Sequence, residues 1–123
     1  MLTNRKVKIA IVGSRTFNDY SVLQGFIRNK CNEHFLTPVA VVSGGAKGAD
    51  ALGARYANDY QLPLILHKPD WKRYGKAAGF IRNKDIIKDC DVCFAFWDGQ
   101  SRGTADDINI CKQMGKPCYI CKF

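Results

Sequence analysis

Val39-Ala40-Val41-Val42-Ser43-Gly44-Gly45-Ala46-Lys47-Gly48-Ala49-Asp50 decides the fold of this chain. A short β-branched run ends at Ser43, two glycines follow, and Ala49, Leu52, Ala57 and Tyr60 then recur at helical spacing. An apolar run of this length bounded by glycine reads as a buried strand, and the spacing after it as a helix over 47–60. A strand passing through a glycine loop into a helix is the repeating step of a parallel sheet. Gly44 and Gly45 let a ligand approach the backbone closely. Gly48 falls where the helix begins, and the free N–H groups and partial positive charge of a helix start suit an anion. With Lys47 beside these glycines, the loop reads as an anion site. It lacks the GK[ST] ending of a Walker loop, and it follows the second strand, whereas a dinucleotide fingerprint would follow the first.

Working outward, the same alternation repeats. Residues 7–12 form an apolar run ending at Gly13, and further strands are expected over 62–66, 91–97 and 117–120. Helices are expected over 19–35, where Asp19 or Ser21 can cap the spacing Val22, Leu23, Phe26, Ile27 and Cys31, and over 76–88. The last, over 103–114, carries Ala105, Ile108 and Cys111 and is closed by Gly115. Pro38 and Pro63 fall at or just ahead of strand starts, where a missing N–H is tolerated. The order β-α-β-α-β-α-β-α-β implies an α/β fold: a five-stranded parallel sheet with helices on both faces, in one domain spanning 1–123.

Composition sets the class. Of the 123 residues, 46% are hydrophobic and 24% charged, which fits one ordinary globular domain able to bury a core without staples. Residues 1–8 are basic but lead into only a short apolar run, 9–12, too short for a signal or a membrane span, so a cytoplasmic location without membrane attachment is expected. Nineteen Lys and Arg against eleven Asp and Glu give +8, which favours anionic partners: phosphates, nucleotides or nucleic acid. The six cysteines include Cys90-x-x-Cys93 and Cys118-x-x-Cys121, which resemble zinc-ribbon pairs on paper. Both pairs fall at or inside expected strands, where residues i and i+3 face opposite ways. They are therefore read as core thiols, with no metal expected. The sequence calls for no cofactor.

Ligands of such sheets bind beyond the carboxyl ends of the strands. Four loops share that edge if the sheet is parallel: Gly13-Ser14-Arg15-Thr16, the Ser43–Asp50 loop, the loop carrying Asp70 and Trp71, and Asp98-Gly99-Gln100-Ser101-Arg102-Gly103-Thr104. Arg15 offers a fork for phosphate, or the cation of a surface salt bridge. Asp50 could meet a ribose, although holding the Gly44-Gly45 turn from behind is the role it suits better. Ser101, Arg102, Gly103 and Thr104 form a second phosphate cradle at a helix start, or an ordinary cap. Trp71 and Trp97 could stack on a base or pack as rim residues. Arg82 and Asn83, on the polar part of their helix, are placed to reach the same edge. His34 is expected to face solvent, and His67, at the end of the third strand, could enter the site. No nucleophilic triad or two-metal acidic cluster is readable.

As an ordered set, Gly13-Ser14-Arg15, residues 43–50, Asp70-Trp71, Gly75-Lys76-Ala77-Ala78-Gly79, Ile81-Arg82-Asn83-Lys84 and Ser101-Arg102-Gly103-Thr104-Ala105 resemble the YspA-like, YpsA-related branch of the SLOG superfamily. The resemblance covers nearly the whole chain. It implies a Rossmann-like fold and a nucleotide-ligand site, without an established reaction. Two related groups supply alternatives. The lonely-guy phosphoribohydrolases carry PGGxGTxxE; here Gly103-Thr104 fits, no PGG precedes it, and Asp107 stands in place of the glutamate, making it the candidate catalytic residue. DprA-type proteins bind single-stranded DNA, and their GSR, SGxARGID and RNR stretches look like Gly13–Arg15, residues 43–50 and Arg82-Asn83-Lys84. The leading expectation is a binding module that senses or sequesters a nucleotide, ADP-ribose-like or cyclic. A nucleotide hydrolase and a single-stranded DNA binder are the alternatives. The resemblance also implies a homo-oligomer.

Overall fold

A computed structural model of the chain describes residues 3–123. Its first strand, β1 (Arg5–Gly13), is the axis of the molecule. Ile9 and Ile11 point to one face and Ala10 and Val12 to the other, all at most 2% exposed. A strand buried on both faces needs apolar residues at every position, which is why 9–12 is a continuous apolar run.

The remaining elements follow in the expected order: α1 (Tyr20–His34), β2 (Leu36–Ser43), α2 (Ala49–Asp59), β3 (Leu64–Leu66), α3 (Trp71–Tyr74), a single 3-10 turn, α4 (Ala78–Asp89), β4 (Val92–Trp97), α5 (Arg102–Met114) and β5 (Cys118–Lys122). The sheet order is β3-β2-β1-β4-β5, and every pairing is parallel. The chain therefore steps outward from β1 in one direction through β2 and β3, then crosses back to β4 and steps the other way. α1 and α2 cover one face, packing Leu23, Ile27, Tyr56 and Ala57 against Ile9, Ile11, Phe94 and Phe96. α4 and α5 cover the other, packing Ile86, Ile87, Ile110 and Cys111 against Ala10, Val12 and Ala95. The structure is thus the expected Rossmann-like, parallel five-stranded α/β fold. No helix among the described residues is long and apolar enough to cross a membrane.

Local chemistry explains the boundaries. Asp19 caps α1 by accepting from the Val22 N–H at 3.1 Å. α5 ends at Gly115, whose φ of +68° is the left-handed conformation that stops a helix. Three expectations shift. β2 begins at Leu36, so Pro38 lies inside it; the register slips there, with Val7 opposite Pro38 and Lys8 opposite Ala40, and this bulge accommodates the absent N–H. β3 keeps only Leu64–Leu66 of the five residues expected, as a short edge strand. The helix expected from residue 76 is preceded by α3 and begins at Ala78, because Asp70 caps an earlier turn by accepting from the Arg73 N–H at 3.1 Å.

Phe96 joins the sheet to the first connection. It is fully buried, stacks on Phe17 with centroids 4.9 Å apart and meets Phe26 edge-on at 5.7 Å. Phe96→Ala should therefore lower the unfolding free energy by about 3–5 kcal/mol, read as a fall in the urea midpoint at unchanged slope.

Candidate functional site

The reversal of strand order between β1 and β4 opens a crevice at their carboxyl ends, because the connections leaving these two parallel strands diverge to opposite faces. Ser14 organises it. Its N–H donates to the Phe96 carbonyl at 2.9 Å, and its own carbonyl accepts from Phe17 N–H at 3.1 Å and Ala49 N–H at 3.3 Å. Its hydroxyl accepts from Asp98 N–H at 3.2 Å. Ser14 is 2% exposed, so these bonds tie the ends of β1, β4 and α2 into one floor. Gly48 permits the approach: its φ is +74°, and a Cβ there would collide with the Ser14 and Arg15 backbone. Glycine is required here by space as well as by conformation.

The crevice holds a cavity of about 390 Å³. Gly13, Ser14 and Arg15 line one wall, Arg82 and Asn83 of α4 another, and Ser101 with Gly103, Thr104 and Asp107 of α5 a third, with Asp50 among them. Ten of the residues anticipated from sequence thus meet in one place. Gly44 and Gly48 act behind the wall by letting side chain and backbone close in, and Gly45 and Lys47 are exposed outside it.

Asp50 plays the holding role. Its carboxylate accepts from the Ala46 N–H at 3.1 Å, and its backbone carbonyl is 3.4 Å from the Ser43 hydroxyl, which donates to it. Burial pushes its carboxyl upward, opposed by that N–H and by the charges of Arg82 and Arg15. Arg82 is itself fixed: Nη1 donates to the Gly44 carbonyl at 2.9 Å and Nε to Asn83 Oδ1 at 3.1 Å. Asn83 in turn donates to Asp106 at 3.1 Å, locking α4 to α5. Arg15 is exposed at the rim and forms no ion pair among the described residues.

α5 starts without a side-chain cap. The Ser101 hydroxyl instead lies 3.2 Å from that of Thr104, and Asp98 accepts from the N–H groups of Gln100 and Ser101 at 2.9 and 2.8 Å, which lowers its carboxyl below the usual range. The first turn of α5, with Gly103 and Thr104, is open to the cavity. One turn further, Asp107 is 5% exposed, and its Oδ1 has no hydrogen-bond partner among the described residues. Burial, then the nearby Asp50 and Asp106, push its carboxyl well above the ordinary carboxylate range. Three acids thus share a cavity in a basic protein: Asp50 and Asp98, bonded to backbone N–H groups, and Asp107, with an unpartnered oxygen.

Several sequence candidates are not brought to the cavity. Trp71 is 58% exposed at the start of α3. Asp70 caps that helix. Lys76 and Arg102 are exposed outside the lining. Trp97 is a rim residue: its indole N–H donates to the Ser101 carbonyl at 3.0 Å, bracing the loop before α5. His67 pairs with Asp89 at 2.8 Å, away from the cavity. Asp98 was not anticipated as a site residue; the signal for it is an Asp-Gly turn directly after a strand.

Residues 7–74 match the family model described as YspA, cpYpsA-related SLOG family. The chain belongs to this SLOG family. The matched span holds the β1 and β2 loops; α4 and α5 lie beyond it. Among relatives, the gene 61 protein of Mycobacterium phage D29 is 31% identical over 118 residues, covering 89% of this chain and 92% of that protein. Among solved structures, DNA processing protein A from Helicobacter pylori, described for its single-stranded DNA binding mode, superposes with a TM-score of 0.67 at 20% identity over 93% of this chain. The SLOG chain spans 64% of that protein's length, and the likeness is one of fold. Membership of the SLOG family supports nucleotide or DNA binding in the broad sense and leaves the ligand unspecified.

Asp107 makes stability depend on pH in a definite direction. An acid whose carboxyl is raised on folding retains its proton in the folded state while the unfolded chain gives it up, so stability falls as pH rises from about 4, the unfolded value, toward the folded one. Asp107→Asn should remove that loss. In denaturation at a series of pH values, the variant should gain on the wild type progressively from pH 4 towards neutrality.

Proposed function

We propose that the crevice binds a small phosphate-bearing nucleotide, with its phosphate at the open first turn of α5 and its sugar or base against Asp107. The observation carrying this reading is the Asp107 carboxyl oxygen, buried and unpartnered beside an uncapped helix start. A buried polar atom without a partner costs roughly 1–3 kcal/mol, which a ligand group can recover. The raised carboxyl matters for the same reason, since a neutral acid can donate to a ligand acceptor without repelling its phosphate. Arg82 and Arg15 supply positive charge, and the N–H groups of α5 supply further donors. A cavity of about 390 Å³ is at the small end of the range for ligand pockets, and it fits a mononucleotide better than an extended strand. A longer ligand of ADP-ribose type would have its second half outside. The resulting role is that of a module that senses or sequesters its nucleotide.

A second reading rests on the same acid. Asp107 held protonated beside Asp50 is the arrangement of a general acid, and N-glycosidic cleavage needs a proton for the leaving base. Single-stranded DNA binding finds less support, because the exposed aromatic Trp71 lies outside the cavity.

A thermal-shift series with AMP, cyclic mononucleotides, ADP-ribose and a short single-stranded DNA tests these readings. A mononucleotide should raise the midpoint by several degrees at a hundred times its dissociation constant. Arg15→Ala should weaken that binding about tenfold or more, since a hydrogen bond to a charged group contributes about 1.5–3 kcal/mol. A shift with DNA alone would replace the proposal by the DNA reading. Release of free base, abolished by Asp107→Asn, would establish the hydrolase. Sedimentation of the same sample reads the homo-oligomer proposed from the family resemblance.

A further inference from the structure

At the amino end of the sheet, opposite the nucleotide crevice, three thiols converge. Cys93 is the second residue of β4 and Cys118 the first of β5, and the two are register partners in the parallel pair. Cys111 of α5 packs over them in the same core. All three Sγ atoms lie within 4.8 Å of one another. None of the six cysteines is in a disulfide. The two Cys-x-x-Cys pairs do not form the cluster as pairs. Each contributes one member, and the third comes from a helix. Cys121 turns to the opposite face, as alternation along a strand requires, and Cys90 lies at the end of α4, its thiol donating to the Ile87 carbonyl.

We propose that Cys93, Cys111 and Cys118 form a three-thiolate site for a soft d10 cation of the Zn²⁺ or Cu⁺ class. Thiolates select such ions over hard cations, which prefer oxygen. Metal–sulfur bonds of about 2.3 Å place three sulfurs roughly 3.8–4.0 Å apart, so an ion can be seated by small rotations of the side chains. Cys93 and Cys111 are at most 1% exposed, which excludes water from two sides, whereas Cys118 is half-buried and gives access. Binding requires all three sulfurs as thiolates, which leaves one negative charge with a divalent ion. Lys116 offsets it: its ammonium is fixed by the carbonyls of Ile87, Lys88 and Cys90 at 2.8, 2.8 and 2.6 Å, beside the cluster. Cys90 shares this core but keeps its thiol on the Ile87 carbonyl, so a fourth position is left to water or to an outside ligand on the Cys118 side.

The probe is Co²⁺ added to reduced, metal-stripped full-length protein. One equivalent should bind with intense sulfur-to-cobalt charge-transfer absorption, and Zn²⁺ should displace it. Cys111→Ala should lose the absorption while keeping the circular dichroism of the fold, and Cys121→Ala should keep both. Because a core substitution can unfold the chain, a measurement on the wild type runs beside it: Zn²⁺ should protect Cys118 from alkylation and raise the thermal midpoint. A folded wild type that shows no cobalt–sulfur absorption and no zinc protection would overturn the proposal, leaving three core thiols. Equal loss in the Cys121 variant would overturn it too.

Discussion

The site depends on the backbone and hydroxyl of one serine. Ser14 stands where β1 ends, and its bonds reach Phe96 of β4, Asp98 beyond it and Ala49 at the head of α2. A parallel sheet brings strand ends to one edge without fixing the loops that leave them. Here the loops are fixed because a buried residue has its N–H, its carbonyl and its hydroxyl oxygen all bonded to neighbouring elements. Gly48 is the complement of that arrangement, since any side chain there would push α2 away from Ser14. The crevice is therefore a product of the core as much as of its lining residues.

Much of this was legible in the sequence, and the reasons are local. The apolar runs at 9–12 and 92–96 announce strands buried on both faces, and Asp19 and Gly115 mark helix limits by side-chain and backbone chemistry that needs no tertiary context. Pro38 was misplaced because the register slip that accommodates it belongs to the pairing with β1 and leaves no trace in β2 alone. Arg82 and Asn83 are legible from their place on the polar part of their helix, but their function of bracing Gly44 and Asp106 appears only when α4 packs. The burial of Asp107 was likewise hidden, because helical spacing puts it beside Cys111 without saying how deep that face lies. The thiol cluster needed the register of Cys93 with Cys118, a relation between strands 25 residues apart in sequence.

Charge is distributed unevenly. A net +8 would suggest a uniformly cationic surface, yet the crevice contains three carboxyls and its cations are at the wall and rim. The long-range field then attracts anions, while the interior discriminates by hydrogen bonding. Asp50 and Asp107 are raised by desolvation, so the interior is less negative than a count of its residues implies.

The anchoring of Arg82 has a further consequence. An arginine side chain free in solution carries about 2 kcal/mol of rotamer entropy, and a binding site that must order it on contact loses that amount of affinity. Held by Gly44 and Asn83, Arg82 has given up this freedom when the chain folds. The crevice consequently meets its ligand as a rigid mould, with little adaptability to a phosphate displaced by an ångström or to a ring of different shape. Discrimination among similar anions is then inherited from the stability of the fold, and a substitution that loosened α4 would broaden the range of ligands before it weakened any one of them.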